Sequence, residues 1–281
     1  MFFSRRAASA GFFTAIDNAA QFYESAYTDS ITINMQVGWG LIDGRSLNPG
    51  DFGQSQTNQT GVYGYATIKN ALTLDSKSAD DATAVANLPA NYPVSNASFV
   101  MSDAEAKALG LLSGSATGID GYIGFDSKAS YTFDPNNRAV AGEYDVTGLA
   151  EHEVSEVMGR YGLGQNGASS GRYSPIDLFR YTSAGVLDTV RENGDYFSIN
   201  NGVSNINTYN GTGGGDLSDW SGRTLDSYNA FFNSGVEMPV SAGDLTLMDV
   251  IGYDRAVPEP ASMTLLAVGA IGLLTRRNRR A

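Results

Sequence analysis

AEHEVSEVMGR (residues 150–160) holds the only histidine of the 281-residue chain. Residues 146–160 read as one helix. Thr147 can cap it or lie in its first turn, and Gly159, Gly162 and Gly164 stop it. On a helix, positions i and i+4 project from one face, so His152 and Glu156 stand side by side. Glu153 lies about 100° further round the axis. An ordinary amphipathic helix would bury Leu149, Val154, Val157 and Met158 and turn its acids to solvent. Packed together instead, Glu151, Glu153 and Glu156 repel one another unless a cation lies among them.

Outward from this helix, the chain reads as an α+β domain. AIDNAAQFYESAY (15–27) is amphipathic and helical in pattern. SITINMQVGWG (30–40) alternates Ile31, Ile33, Met35 and Val37 with polar residues, the period of a strand. Residues 45–62 are polar and rich in Gln and Asn, and read as a loop. VYGYATIKNALTLD (62–75) is ambiguous between strand and helix. DDATAVANLP (80–89) is a short helix ending before Pro89, and Ser102 or Asp103 starts another. DGYIGFDS (120–127) is a short strand, and FDPNNRA (133–139) a turn. IDLFRYTSAGVLDTV (176–190) is a hairpin turning at Ser183-Ala184-Gly185. SAGDLTLMDVIGYD (241–254) is a closing helix. A mixed, mostly parallel sheet is expected.

Composition narrows the chemistry. A hydrophobic fraction of 42% with 11% aromatics excludes a disordered chain. The absence of cysteine excludes disulfides and thiolate metal sites. Net charge is −12. Without the four Arg and one Glu beyond residue 256, the body keeps 14 basic against 29 acidic residues. So acidic a body repels phosphate backbones, which argues against nucleic-acid binding. Its oxygen ligands suit hard cations, and NNGVSNINTYNGTGGGDLSDW (200–220) invites a separate Ca²⁺ site, although it lacks the spacing of a known calcium loop.

VPEPASMTLLAVGAIGLLTRRNRRA (257–281) has three parts in order: Pro258-Glu259-Pro260, an uncharged and largely apolar run over 261–275, and Arg276, Arg277, Arg279 and Arg280. This closely resembles the PEP-CTERM sorting signal of Gram-negative bacteria. The resemblance implies export to the cell envelope or beyond. It also implies transient inner-membrane anchoring through a hydrophobic helix over 261–275, and recognition by an exosortase-type enzyme. Residues 1–256 then form the functional domain. MFFSRRAASAGFFTAI (1–16) has no uninterrupted apolar core of usual length, so the signal peptide is expected to be missing or truncated here.

His152-Glu153-x-x-Glu156 is one residue away from the H-E-x-x-H pattern of zinc peptidases, in which two ligands and a carboxylate base share a helix. In such sites the metal lowers the pKa of its water to about 7 and the base takes the proton. EHEVSEVMGR, SPIDLFRY (174–181) and SAGDLTLMDVIGYD together resemble metalloprotease-like proteins that carry this sorting tail and, more distantly, metzincins. The resemblance implies a metzincin-like domain and a metal-dependent endopeptidase acting on protein or peptide. Its metal would be Zn²⁺ or another divalent ion, with His152 and Glu156 as ligands and Glu153 as catalytic base. The metzincin third ligand would fall at Gly162, which has no side chain to offer. Asp177 is the first choice in its place, because it follows the helix closely and Pro175 fixes the backbone before it. Asp145, Glu143 and Asp188 remain open, as does a site without a third protein ligand. Tyr161, Tyr173 and Tyr181 are candidates to hydrogen-bond a developing oxyanion. The rival reading is a non-catalytic surface or extracellular-matrix protein on a degenerate protease scaffold.

Overall fold

Alternation over residues 31–37 yields a strand only in its second half. In the computed structural model, which describes residues 2–3, 8–162, 171–190, 194–211, 214–222 and 224–256, β2 spans Met35–Trp39 with Met35 and Val37 buried. The backbone ahead of it is tied elsewhere. Thr32 N donates to Gly114 O at 2.8 Å, and Asn34 N to Asp120 Oδ2 at 2.6 Å. β2 pairs in parallel with β1 (Phe2–Phe3) and β6 (Gly121–Phe125), and β3 (Gly53–Thr57) closes the edge antiparallel to β6. The sheet is mixed and mostly parallel.

The polar stretch 45–62 is not a continuous loop. It contains β3 and the start of β4 (Gln59–Gly64). These polar residues order here because their backbone completes a ladder and because Ser55 and Thr57 hydrogen-bond to Glu156 of a helix, a cause that apolar alternation does not report. The ambiguous stretch 62–75 divides at Gly64, with α2 (Tyr65–Asp75) following. α3 (Ala79–Asn87) starts in a capping box between Ser78 and Asp81. β5 (Ser98–Ser102) pairs with β4, and Ser102 caps α4 (Asp103–Ala108). β7 (Tyr131–Thr132) and β8 (Tyr144–Asp145) pair in parallel just ahead of the motif helix α5 (Val146–Val157). β9 (Arg172–Tyr173) adds to β5. After a 3-10 helix at Pro175–Phe179, a second, antiparallel sheet follows. It holds β10 (Arg180–Ser183), β11 (Val186–Leu187), β12 (Tyr196–Phe197) and β13 (Asn207–Thr208) in the order β11-β10-β12-β13. α6 (Ala242–Val250) begins at the capping residue Ser241.

All twelve residues of α5 are buried. Its cap is Asp145, one residue ahead of the expected start, whose Oδ1 accepts from Gly148 N at 3.1 Å. The helix packs on α1 (Ala10–Ala26) and on β3. Tyr23 of α1 donates its hydroxyl to Glu151 O at 2.7 Å, and Tyr253 donates to Met158 O at 2.6 Å where the helix ends. Gly159 turns the chain with φ +122, and a β-carbon there would meet Glu105 at 2.9 Å. Among the described residues no helix is long and apolar enough to cross a membrane. The expected sorting helix at 261–275 and Gly164 lie outside the described residues.

Glu105 is fully buried and neither carboxylate oxygen has a hydrogen-bond partner. Burial, the largest influence, pushes its carboxyl well above the ordinary range. A raised folded value contributes stability below the ordinary carboxylate pKa and loses it as pH rises through the folded value. Asp29 and Asp75, raised to about 6 and about 7 mainly by burial, act in the same direction. The chain should therefore melt at a higher temperature at pH 5 than at pH 9. Glu105→Gln should flatten that difference, as read by circular dichroism. A pH-independent wild-type melting temperature would contradict this account.

Candidate functional site

The acids of α5 do not turn to solvent. Glu151, Glu153 and Glu156 are each 4% exposed, and His152 is 8% exposed. Glu151 faces away from the histidine, pairs with Arg138 at 3.1 Å, and is pushed up to about 7 by burial against that attraction. His152, Glu153 and Glu156 line a cleft of about 450 Å³ together with Asp216, Asp219 and Asn229.

Two carboxylates flank the imidazole. His152 Nε2 lies 3.5 Å from Glu156 Oε1 and 3.6 Å from Asp219 Oδ1. Among the described residues, His152, Glu156 and Asp219 form the one group of three ligand-type side chains close enough to share a metal ion. The other ring nitrogen, Nδ1, is 2.7 Å from Ser227 O. A carbonyl can only accept, so Nδ1 carries a proton there, and Nε2 is the nitrogen that faces the two carboxylates. Glu156 is braced from the sheet edge. Ser55 Oγ donates to its Oε2 at 2.6 Å, and Thr57 Oγ1 to its backbone carbonyl at 3.3 Å.

Asp219 comes from the glycine-rich stretch 200–220. Its neighbour Trp220 is fully buried between Phe197 and Tyr209, and donates its indole N–H to Asp244 at 2.6 Å. That anchor fixes where Asp219 points. The only local sign of it is an acid preceding a tryptophan in an otherwise small and polar stretch.

Arg160 is the counter-charge. It is fully buried, donates through Nη1 to Asp219 Oδ1, lies 3.5 Å from Glu156 Oε1 through Nη2, and is stacked 4.4 Å over the Tyr228 ring. Burial and Arg160 act to lower the His152 pKa, but Asp219 and Glu156 outweigh them and carry it up to about 9. Against the cost of burial, His152 and Arg160 hold Glu156 down at about 2. Glu153 is pushed well above the ordinary range, first by burial and then by Glu156. The charge of Glu156, followed by burial, raises Asp216 to about 7.

Asp177, the expected third ligand, is not in this cluster. It is fully buried in a capping box: its Oδ2 accepts from Ser174 N at 2.8 Å, and its Oδ1 lies 3.7 Å from Arg180 Nε. Gly162 packs its bare α-carbon against the same carboxylate, and a β-carbon there would sit 2.6 Å from Asp177 Oδ1. The lost ligand position and its expected replacement therefore form one structural contact. Asp145 caps α5 and pairs with Arg138, and neither Glu143 nor Asp188 joins the cluster. Tyr161, Tyr173 and Tyr181 do not line the cleft. No second cluster of three such ligands marks a separate calcium site among the described residues.

Residues 256–280 match the PEP-CTERM protein-sorting motif. The tail marks an exported protein of the cell envelope and implies recognition by an exosortase-type enzyme. No curated protein and no solved structure matches the chain.

Removing Arg160 would strand two buried carboxylates, a change that typically costs about 3–5 kcal/mol. Arg160→Leu should lower the melting temperature in chelator and recover part of the loss when a divalent ion is added. Equal melting temperatures for variant and wild type would refute the role of Arg160 as counter-charge.

Proposed function

We propose that this chain is an exported, metal-dependent endopeptidase on a metzincin-like α+β scaffold. His152, Glu156 and Asp219 would be its ligands and Glu153 its general base. The supporting observation is the spacing around His152 Nε2. Two ligand atoms bonded at 2.0–2.1 Å to a tetrahedral ion lie about 3.3–3.4 Å apart, and the two imidazole–carboxylate separations are 3.5 and 3.6 Å. One imidazole and two carboxylates fit Zn²⁺ and also harder divalent ions. Asp219 takes the part first expected of Asp177.

A divalent ion held there would supply Lewis-acid activation of water and of a peptide carbonyl. The chain's own residues do the rest. The bond from His152 Nδ1 to Ser227 O fixes ring and tautomer. Glu153 shares the cleft and is the group placed to take a proton from water. Alone, its burial and the neighbouring Glu156 keep it protonated; added positive charge would bring its carboxyl back towards ionisation. β3 sets its position, because a β-carbon at Gly53 would collide with the Glu153 carboxylate. The substrate class is protein or peptide. Before processing, residues 261–275 would anchor the chain transiently in the inner membrane, with the arginines on the cytoplasmic side.

One observation favours a second reading. Arg160 already neutralises Glu156 and Asp219, as a non-catalytic surface protein on a degenerate scaffold would require.

Residues 8–256 should carry about one equivalent of divalent metal by mass spectrometry and cleave an unstructured protein in a chelator-sensitive way. Glu153→Gln should remove most of that activity while leaving the metal bound. Gly53→Ala should impair cleavage with the fold intact by circular dichroism. A folded wild type that is metal-free and inactive sinks the peptidase and leaves the scaffold reading. Activity indifferent to Glu153→Gln refutes the assigned base.

A further inference from the structure

The described body ends in a short segment that is tied down along its length. Thr28 N donates to Asp254 O at 2.8 Å, and Ala256 N donates to Ala26 O at 2.7 Å. These bonds bracket an antiparallel bridge between Tyr27 and Arg255 at the C-terminal end of α1. Asp254 N donates to Asp29 Oδ2 at 2.9 Å, and Arg255 N to Asp249 Oδ1 at 3.2 Å. The Asp254 carboxylate pairs with Lys77, and the Arg255 guanidinium lies 3.6 Å from Asp80. Tyr27 itself is buried, stacked on Tyr23 and packed on Tyr253. Residues 254–256 are thus a strap fastened to the core through α1.

The sorting motif begins on that strap. Its match starts at residue 256, the residue whose N–H is bonded to Ala26. Pro258 is two residues further on in the sequence. No spacer separates folded body from signal. An enzyme that grips the chain just upstream of Pro258-Glu259-Pro260 meets residues held by α1.

We propose that release of the 254–256 strap from α1 gates recognition of the tail by the exosortase-type enzyme. The strap is short and its bonds are few, the kind of segment that opens locally at low cost while the core stays folded. An enzyme that binds only the opened strap works on the open fraction, and its apparent affinity is reduced by that fraction.

The test follows processing of the full chain, expressed behind a secretory signal in cells that carry an exosortase-type enzyme, by pulse-chase. A flexible Gly/Ser spacer of about ten residues between Ala256 and Val257 frees the motif without touching the body. It should speed processing on the order of tenfold or more, the factor expected when even one or two of the strap's hydrogen bonds must open first. A second variant locks the strap. Tyr27 and Arg255 are a non-hydrogen-bonded pair, with α-carbons about 4.5 Å apart in such a geometry, within disulfide reach. The natural chain has no cysteine, so Tyr27→Cys with Arg255→Cys can form only this bridge. Oxidised, it should stop processing; reduced, processing should resume. If the double variant does not fold, the spacer decides alone. A spacer that leaves processing unchanged or slower overturns the proposal, as does an oxidised strap processed as fast as the reduced one.

Discussion

The buried charge balance around Arg160 is the constraint on which the rest of the site depends. A helix carrying Glu151, His152, Glu153 and Glu156 can be buried on every side only if its charges are answered inside. Arg138 answers Glu151 from one flank, and Arg160, four residues beyond Glu156, answers Glu156 and Asp219 from the other. The turn at Gly159 allows that return, because it lets Arg160 fold back beneath the last turn of its own helix and donate to Ser155 Oγ at 2.7 Å.

β3, α1 and the loop of Trp220 serve this balance. β3, the polar strand at the sheet edge, braces Glu156 through Ser55 and leaves room for Glu153 at Gly53. α1 holds the helix backbone through Tyr23, whose hydroxyl also meets Tyr228, the residue under the Arg160 guanidinium. Trp220 pins the loop that delivers Asp219. Glu105, whose carboxylate has no such partner among the described residues, is held towards the neutral form chiefly by burial.

The same α1 that supports the site also carries the strap at its far end. Tyr23 and Tyr27 are one helical turn apart. The first bonds to the motif helix, while the second is bridged to Arg255, just ahead of the sorting tail. The body and its address label therefore share one structural element.

Much was legible in the sequence because the signals were local. Period and capping residues announced α3, α4, the hairpin around Gly185 and the closing helix at Ser241, and spacing alone put His152 beside Glu156. The order of apolar and basic segments marked the sorting tail, and the absence of cysteine ruled out thiolate chemistry. Three things were decided only in three dimensions. β3 formed from polar residues because a neighbouring strand offered hydrogen bonds and a helix offered a surface. Asp177, close in sequence, was taken by its own capping box and by the bare face of Gly162. Asp219, far along the chain, was carried to His152 by the packing of Trp220. Helical spacing reports which side chains share a face of one element. It cannot report which loop will be folded against that face, because that is set by burial and by the pairing of charges that meet only when the core closes.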